Sequence, residues 1–107
     1  MKSLTAKDVK WTIDALPEDV SISEHFDKSI ADEIIRELEI DQWAWCTVRV
    51  TGEFRGLEDR TYLGCCSYFG GEDEFRANGY YEDMQYEVLE MLNEKIADLF
   101  EALEKIS

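Results

Sequence analysis

Positive charge is scarce in this chain. Eleven lysines and arginines stand against 25 aspartates and glutamates in 107 residues, a formal charge of −14. Nucleic-acid binding works by neutralising phosphates with Lys and Arg, so direct nucleic-acid binding is excluded as a main role. An anionic membrane surface is repelled for the same reason. No apolar run approaches the ~20 residues of a membrane span, and the N-terminus carries no secretory apolar stretch. The expected location is therefore the cytoplasm. Histidine occurs once, at His25, so one base would have to serve every serine or cysteine nucleophile, and a zinc tetrad would lack ligands. Cysteine occurs three times, as Cys46, Cys65 and Cys66. An odd count fits reduced thiols better than a disulfide framework.

What is abundant is acid beside apolar residues. A hydrophobic content of 45% argues against disorder, and 107 residues suit one domain, residues 1–107, with one modest core. The acid is uneven. Residues 70–107 carry three basic and eleven acidic side chains, net −8, against −5 for residues 1–40 and −1 for residues 41–69.

The pattern along the chain predicts an α+β fold with a small antiparallel sheet. The first eight residues are polar and expected to fray. Val9, Trp11 and Ile13 alternate with Lys10, Thr12 and Asp14, predicting a strand over 9–15 that ends at Pro17; a short helix over 6–15 competes with it. Ser29 and Asp32 resemble a capping box, and Ile30, Ile34, Ile35 and Leu38 share a face of a helix over 27–39. A hairpin follows, 43–54 and 60–69, joined by a turn over residues 55–59. In its first strand Ala44, Cys46, Val48, Val50 and Phe54 face the helices, leaving Trp43, Trp45, Thr47 and Arg49 on the other side. Glu72-Asp73-Glu74 reads as an acidic loop. A long helix over 80–105 closes the chain, with Leu89, Leu92, Ile96, Leu99, Leu103 and Ile106 spaced as a heptad seam. Both helices are expected on one sheet face.

Candidate catalytic residues do not assemble. Adjacent strand residues point to opposite faces, so Cys65 and Cys66 cannot jointly clasp a metal; small buried hydrophobes are the better reading of the cysteines. One of the two is expected beside Cys46 across the hairpin. Glu72-Asp73-Glu74 lacks the alternating ligands and glycine of a calcium loop. The reading is a protein that is not an enzyme and needs no metal or cofactor. The candidate partner-binding residues are the helix acids Asp83, Glu87, Glu90, Glu94, Asp98 and Glu101, extended by Glu72, Asp73 and Glu74. Trp43 and Trp45 read either as an aromatic binding anchor or as a second small core under the N-terminal segment. Packing against the chain's own sheet is the first reading of the heptad seam; two acidic faces disfavour a close parallel homodimer, but self-association stays open.

Trp43-Ala44-Trp45-Cys46-Thr47-Val48, the run Tyr62-Leu63-Gly64-Cys65-Cys66-Ser67-Tyr68, and Gly79-Tyr80-Tyr81 with Asp83-Met84 resemble a family of small bacteriophage and prophage proteins over roughly residues 30–95. The resemblance implies a phage-infected bacterial cell as the setting and carries no catalytic residue. In that setting a strongly acidic protein resembles inhibitors that occupy the positively charged channel of a host nucleic-acid-binding protein, such as a restriction or CRISPR effector. The helix acids would present about one charge per 5 Å over ~27 Å, against one per ~3.4 Å along a strand of duplex DNA. The alternative from a different class is a structural or accessory phage module that docks through apolar surface.

Overall fold

A computed structural model describes residues 3–106 of the chain. The fold is α+β. Three antiparallel strands, β1 (Lys10–Leu16), β2 (Cys46–Phe54) and β3 (Leu57–Cys66), lie in the order β1-β2-β3. Three helices accompany them: α1 (Lys28–Leu38), α2 (Glu72–Ala77) and α3 (Tyr80–Ile106).

Strand β1 forms where the alternation placed it. Trp11, Ile13 and Ala15 pair with Gly52, Val50 and Val48 and share their face. The N-terminal segment is tied down, contrary to the expected fraying: residues 6–8 form a 3-10 turn, and the Leu4 N–H donates to Asn93 Oδ1 at 2.8 Å. Residues 1 and 2 lie outside the described residues. The β2–β3 turn is shorter than the composition suggested. Arg55 (φ 47°) and Gly56 (φ 88°) make it alone, both left-handed, the conformation whose twist matches a tight hairpin. Strand β3 therefore starts at Leu57 and ends at Cys66, about three residues earlier than the predicted 60–69.

One sheet face is apolar and covered by α3. Cys46, Val48 and Val50 are fully buried there with Phe75 of α2, while Val88 and Leu92 of α3 close the far end against Val9. Burying each such side chain contributes about 1.5–3 kcal/mol. The other face is polar: Arg49 donates twice to Asp14 across β1–β2, at 3.0 and 3.2 Å, and Thr47 donates to Glu18. Helix α1 does not join α3 on the covered face. It packs Ala31 and Ile34 with Ile22 around Trp45, a separate cluster at the end of the sheet. Its N-cap is Asp27, without a side-chain bond, so Ser29 and Asp32 do not cap it. The Glu72-Asp73-Glu74 segment is helical rather than a loop, because Phe75 must turn inward to fill the core.

The molecule is long for its size, 64 × 23 × 19 Å. Helix α3, about 40 Å at 1.5 Å per residue, accounts for this. Its fully buried residues end at Leu92, Ile96 is half-buried, and every residue from Ala97 to Ile106 is exposed.

Candidate functional site

A helix turns 100° per residue, so the spacing of the α3 acids decides whether they form a face. Asp83, Glu87, Glu90, Glu94, Asp98 and Glu101 fall within a sector of about 80°. The residues that fix the helix on the sheet, Met84, Val88 and Leu92, occupy a different sector and are buried. The six carboxylates are consequently all exposed on one outward side. Neutralisation by the chain itself is slight. Glu101 has Lys105 at 3.6 Å, both well exposed, and Glu87 accepts a hydrogen bond from the Thr61 hydroxyl at 2.8 Å. Among the described residues, Asp83, Glu87, Glu90, Glu94 and Asp98 have no ion-pair partner. The second lysine of α3, Lys95, turns away to Asp59 Oδ2 at 2.7 Å and the Glu58 carbonyl at 3.0 Å.

The acidic face borders the free edge of the sheet. Arg60, Thr61 and Tyr62 of β3 and Glu87, Glu90, Met91 and Glu94 of α3 line an open groove of about 530 Å³. An edge strand leaves alternate backbone N–H and C=O groups without a neighbour, so the groove offers hydrogen-bonding groups on one wall and negative charge on the other. Sequence reasoning found the acids by their periodicity. It missed the contribution of β3, since nothing in the chain states which strand lies beside α3.

The other proposed extensions of the patch fare differently. Glu72 is paired with Arg76, 2.9 Å away, and Glu74 accepts the Gly70 N–H at 2.6 Å, so only Asp73 of that trio lacks a cation or a hydrogen bond among the described residues. Trp43 and Trp45 do not share a strand face. Asp41 accepts the Trp43 N–H and caps a 3-10 turn over Gln42–Ala44, which breaks the alternation and sends the two rings apart. Trp43 is half-buried against Tyr68 and Phe75. Trp45 is only 3% exposed, with its indole N–H on the Val20 carbonyl at 2.8 Å. It is core, not an anchor.

Compared with known protein families, with characterised proteins and with solved structures, the chain matches none.

One juxtaposition was invisible in the sequence. Cys65, an exposed residue in the left-handed region (φ 56°), places its Sγ 3.5 Å from His25 Nε2. The pair looks like a nucleophile and its base, yet the electrostatics oppose activation. Desolvation and the nearby Glu18 carboxylate push the Cys65 thiol up, away from the thiolate a nucleophile needs. Glu18 in turn accepts the Cys65 N–H and is held below the usual carboxylate range by that bond. Cys46 and Cys66 are buried cross-strand neighbours, as the hairpin implied for one of the pair; burial pushes Cys46 up to about 12 and raises Cys66 as well. Among the described residues no three His, Cys, Asp or Glu side chains converge on a metal position. In a thiol titration with Ellman's reagent at about pH 8, the folded chain is expected to release one equivalent, from Cys65. That reaction should be slower than with free cysteine, whose pKa is ~8.5, and should quicken as pH rises. The other two equivalents should appear only on unfolding. Three fast equivalents from folded protein would contradict this geometry.

Proposed function

We propose that the chain is a non-catalytic inhibitor that binds the basic, nucleic-acid-binding surface of another protein through the acidic side of α3. The observation that supports it best is the gathering of six exposed carboxylates on one side of a helix, five of them without an ion-pair partner among the described residues. Such a surface raises the local concentration of cationic partners and steers their approach. Its charges run over ~27 Å of helix axis, long enough to meet several Lys and Arg side chains of one channel together. The resemblance to phage and prophage proteins makes a host defence protein of a bacterial cell, a restriction or CRISPR effector, the class of target in this proposal.

The test is capture from bacterial lysate with the tagged chain, followed by elution with duplex DNA. Nucleic-acid-binding proteins should be retained at about 50 mM salt, released by DNA, and lost as the Debye length shrinks toward ~3 Å near 1 M. Glu87→Lys, Glu90→Lys and Glu94→Lys together should abolish retention. All three residues are exposed, so the circular dichroism spectrum should be unchanged. Equal capture by the triple variant, or capture indifferent to salt and to DNA, would refute the reading.

A further inference from the structure

We infer that the free end of α3 is a self-association surface, on which a second copy of this chain packs antiparallel. The seam runs Leu92, Ile96, Leu99, Leu103, Ile106, spaced 4, 3, 4 and 3. The chain's own sheet buries only its beginning. Beyond it Leu99 is 50% exposed, Phe100 52%, Leu103 61% and Ile106 83%, an apolar stripe carried on a helix that has left the body of the domain. A projecting helical end of this length is marginal in water without tertiary packing.

The charges flanking the stripe identify its occupant. With Ile96 and Leu103 at the a positions and Leu92, Leu99 and Ile106 at d, the positions beside the seam are Asn93, Lys95, Phe100 and Ala102. None is acidic. Glu94, Asp98, Glu101 and Glu104 fall at the outer positions, centred about 180° from the stripe. A cationic helix would find no carboxylate at these flanking positions to pair with, the nearest being Asp98 on the outer rim of the notch beside Leu99. A second copy, itself at −14, requires what is found: acid kept off the line of contact. The two-fold symmetry of such a pair makes the surface self-complementary. In an antiparallel pair the two-fold axis crosses the seam at the height of Glu101, which brings the Phe100 side chains of the two copies together on one side of the seam and their Ala102 side chains together on the other. The far end of the seam, Ile106 of the partner subunit, then lies by Ile96, next to a notch of about 400 Å³ lined by Leu57, Lys95, Asp98 and Leu99. A parallel pair would instead bring both globular bodies, and both sets of acids, to the same end. The antiparallel dimer leaves the two acidic sides facing outward, so this inference stands or falls separately from the inhibitor reading.

Sedimentation equilibrium of the full chain tests it. The mass should rise with concentration toward twice 12.5 kDa. Dimerisation should tighten as salt rises, because salt screens the repulsion between two negative copies; binding of a basic partner should weaken over the same range. Leu99→Glu with Leu103→Glu should give a monomer at every concentration. Their side chains are half or more exposed, so the thermal midpoint of the body should be retained. Orientation is read from disulfide formation in a Cys65→Ser background: Ile96→Cys chains mixed with Ile106→Cys chains should cross-link, and Ile106→Cys alone should not. A monomer throughout, a dimer that survives the double glutamate variant, or cross-linking of Ile106→Cys alone would overturn the proposal.

Discussion

Trp45→Ala is expected to lower the thermal midpoint by roughly 15–30 °C and to release α1 from the domain. The indole is 3% exposed and fills the space between Ile22, Ala31 and Ile34, with the His25 and Phe26 rings at 5.8 and 5.9 Å. Truncation of a buried tryptophan costs about 3–5 kcal/mol through lost burial and the cavity left behind. The half-buried Val20 carbonyl also loses its donor, a smaller loss because water can reach it. Against a total stability on the order of 5–15 kcal/mol, the packing loss is large. The effect should be local in its structural consequence, since the cluster around Trp45 contains no residue of α3. Trp45→Phe should recover part of the packing but not the hydrogen bond. Differential scanning calorimetry of the three proteins measures this. A Trp45→Ala chain that keeps its midpoint but loses partner capture would restore the ring as a binding anchor.

That prediction rests on a feature the sequence pattern misread, and the reason is local. Alternation is a sound guide where a strand persists, so Val48 and Val50 facing the core, and Thr47 and Arg49 facing away, were readable from period two alone. It fails where the backbone leaves the extended state. Asp41 takes the Trp43 N–H, the chain makes a 3-10 turn, and the neighbours at 43 and 45 no longer point the same way. The hairpin turn was misjudged for a related reason: Arg55 adopts positive φ, which its side chain does not advertise. The acidic side of α3 was readable because a regular helix converts spacing directly into angle. What could not be read was anything set by tertiary placement. The β3 edge beside Glu87, the Arg76 partner that neutralises Glu72, and the approach of His25 to Cys65 across 40 residues all depend on it.

Gly52→Ala is expected to destabilise the fold by about 1–3 kcal/mol, although alanine is otherwise the better strand residue by about 0.5–1 kcal/mol. The sign is decided by space. A Cβ at residue 52 would lie 2.8 Å from Val88 Cγ1, 2.9 Å from Trp11 Cζ3 and 3.0 Å from Val9 Cγ1, inside van der Waals contact with three packed side chains. Val88 is fully buried and β-branched, with one favoured rotamer in a helix, so it cannot swing aside. The remaining response is for α3 to lift from the sheet. The bare backbone at Gly52 is thus the notch that seats α3, and through the rotation of that helix it sets which way the carboxylates face. Val88→Ala alone should also destabilise, by opening a cavity, but combined with Gly52→Ala the new methyl should occupy the vacated space. A double-mutant cycle by urea unfolding should give a coupling of about 1 kcal/mol or more in the stabilising direction. Lifting of α3 should also break the Thr61–Glu87 hydrogen bond in the single glycine variant and restore it in the pair. A Gly52→Ala chain as stable as the parent would mean that α3 stands farther from the sheet than this geometry requires. In that case the outward bearing of its acids would have lost its structural cause.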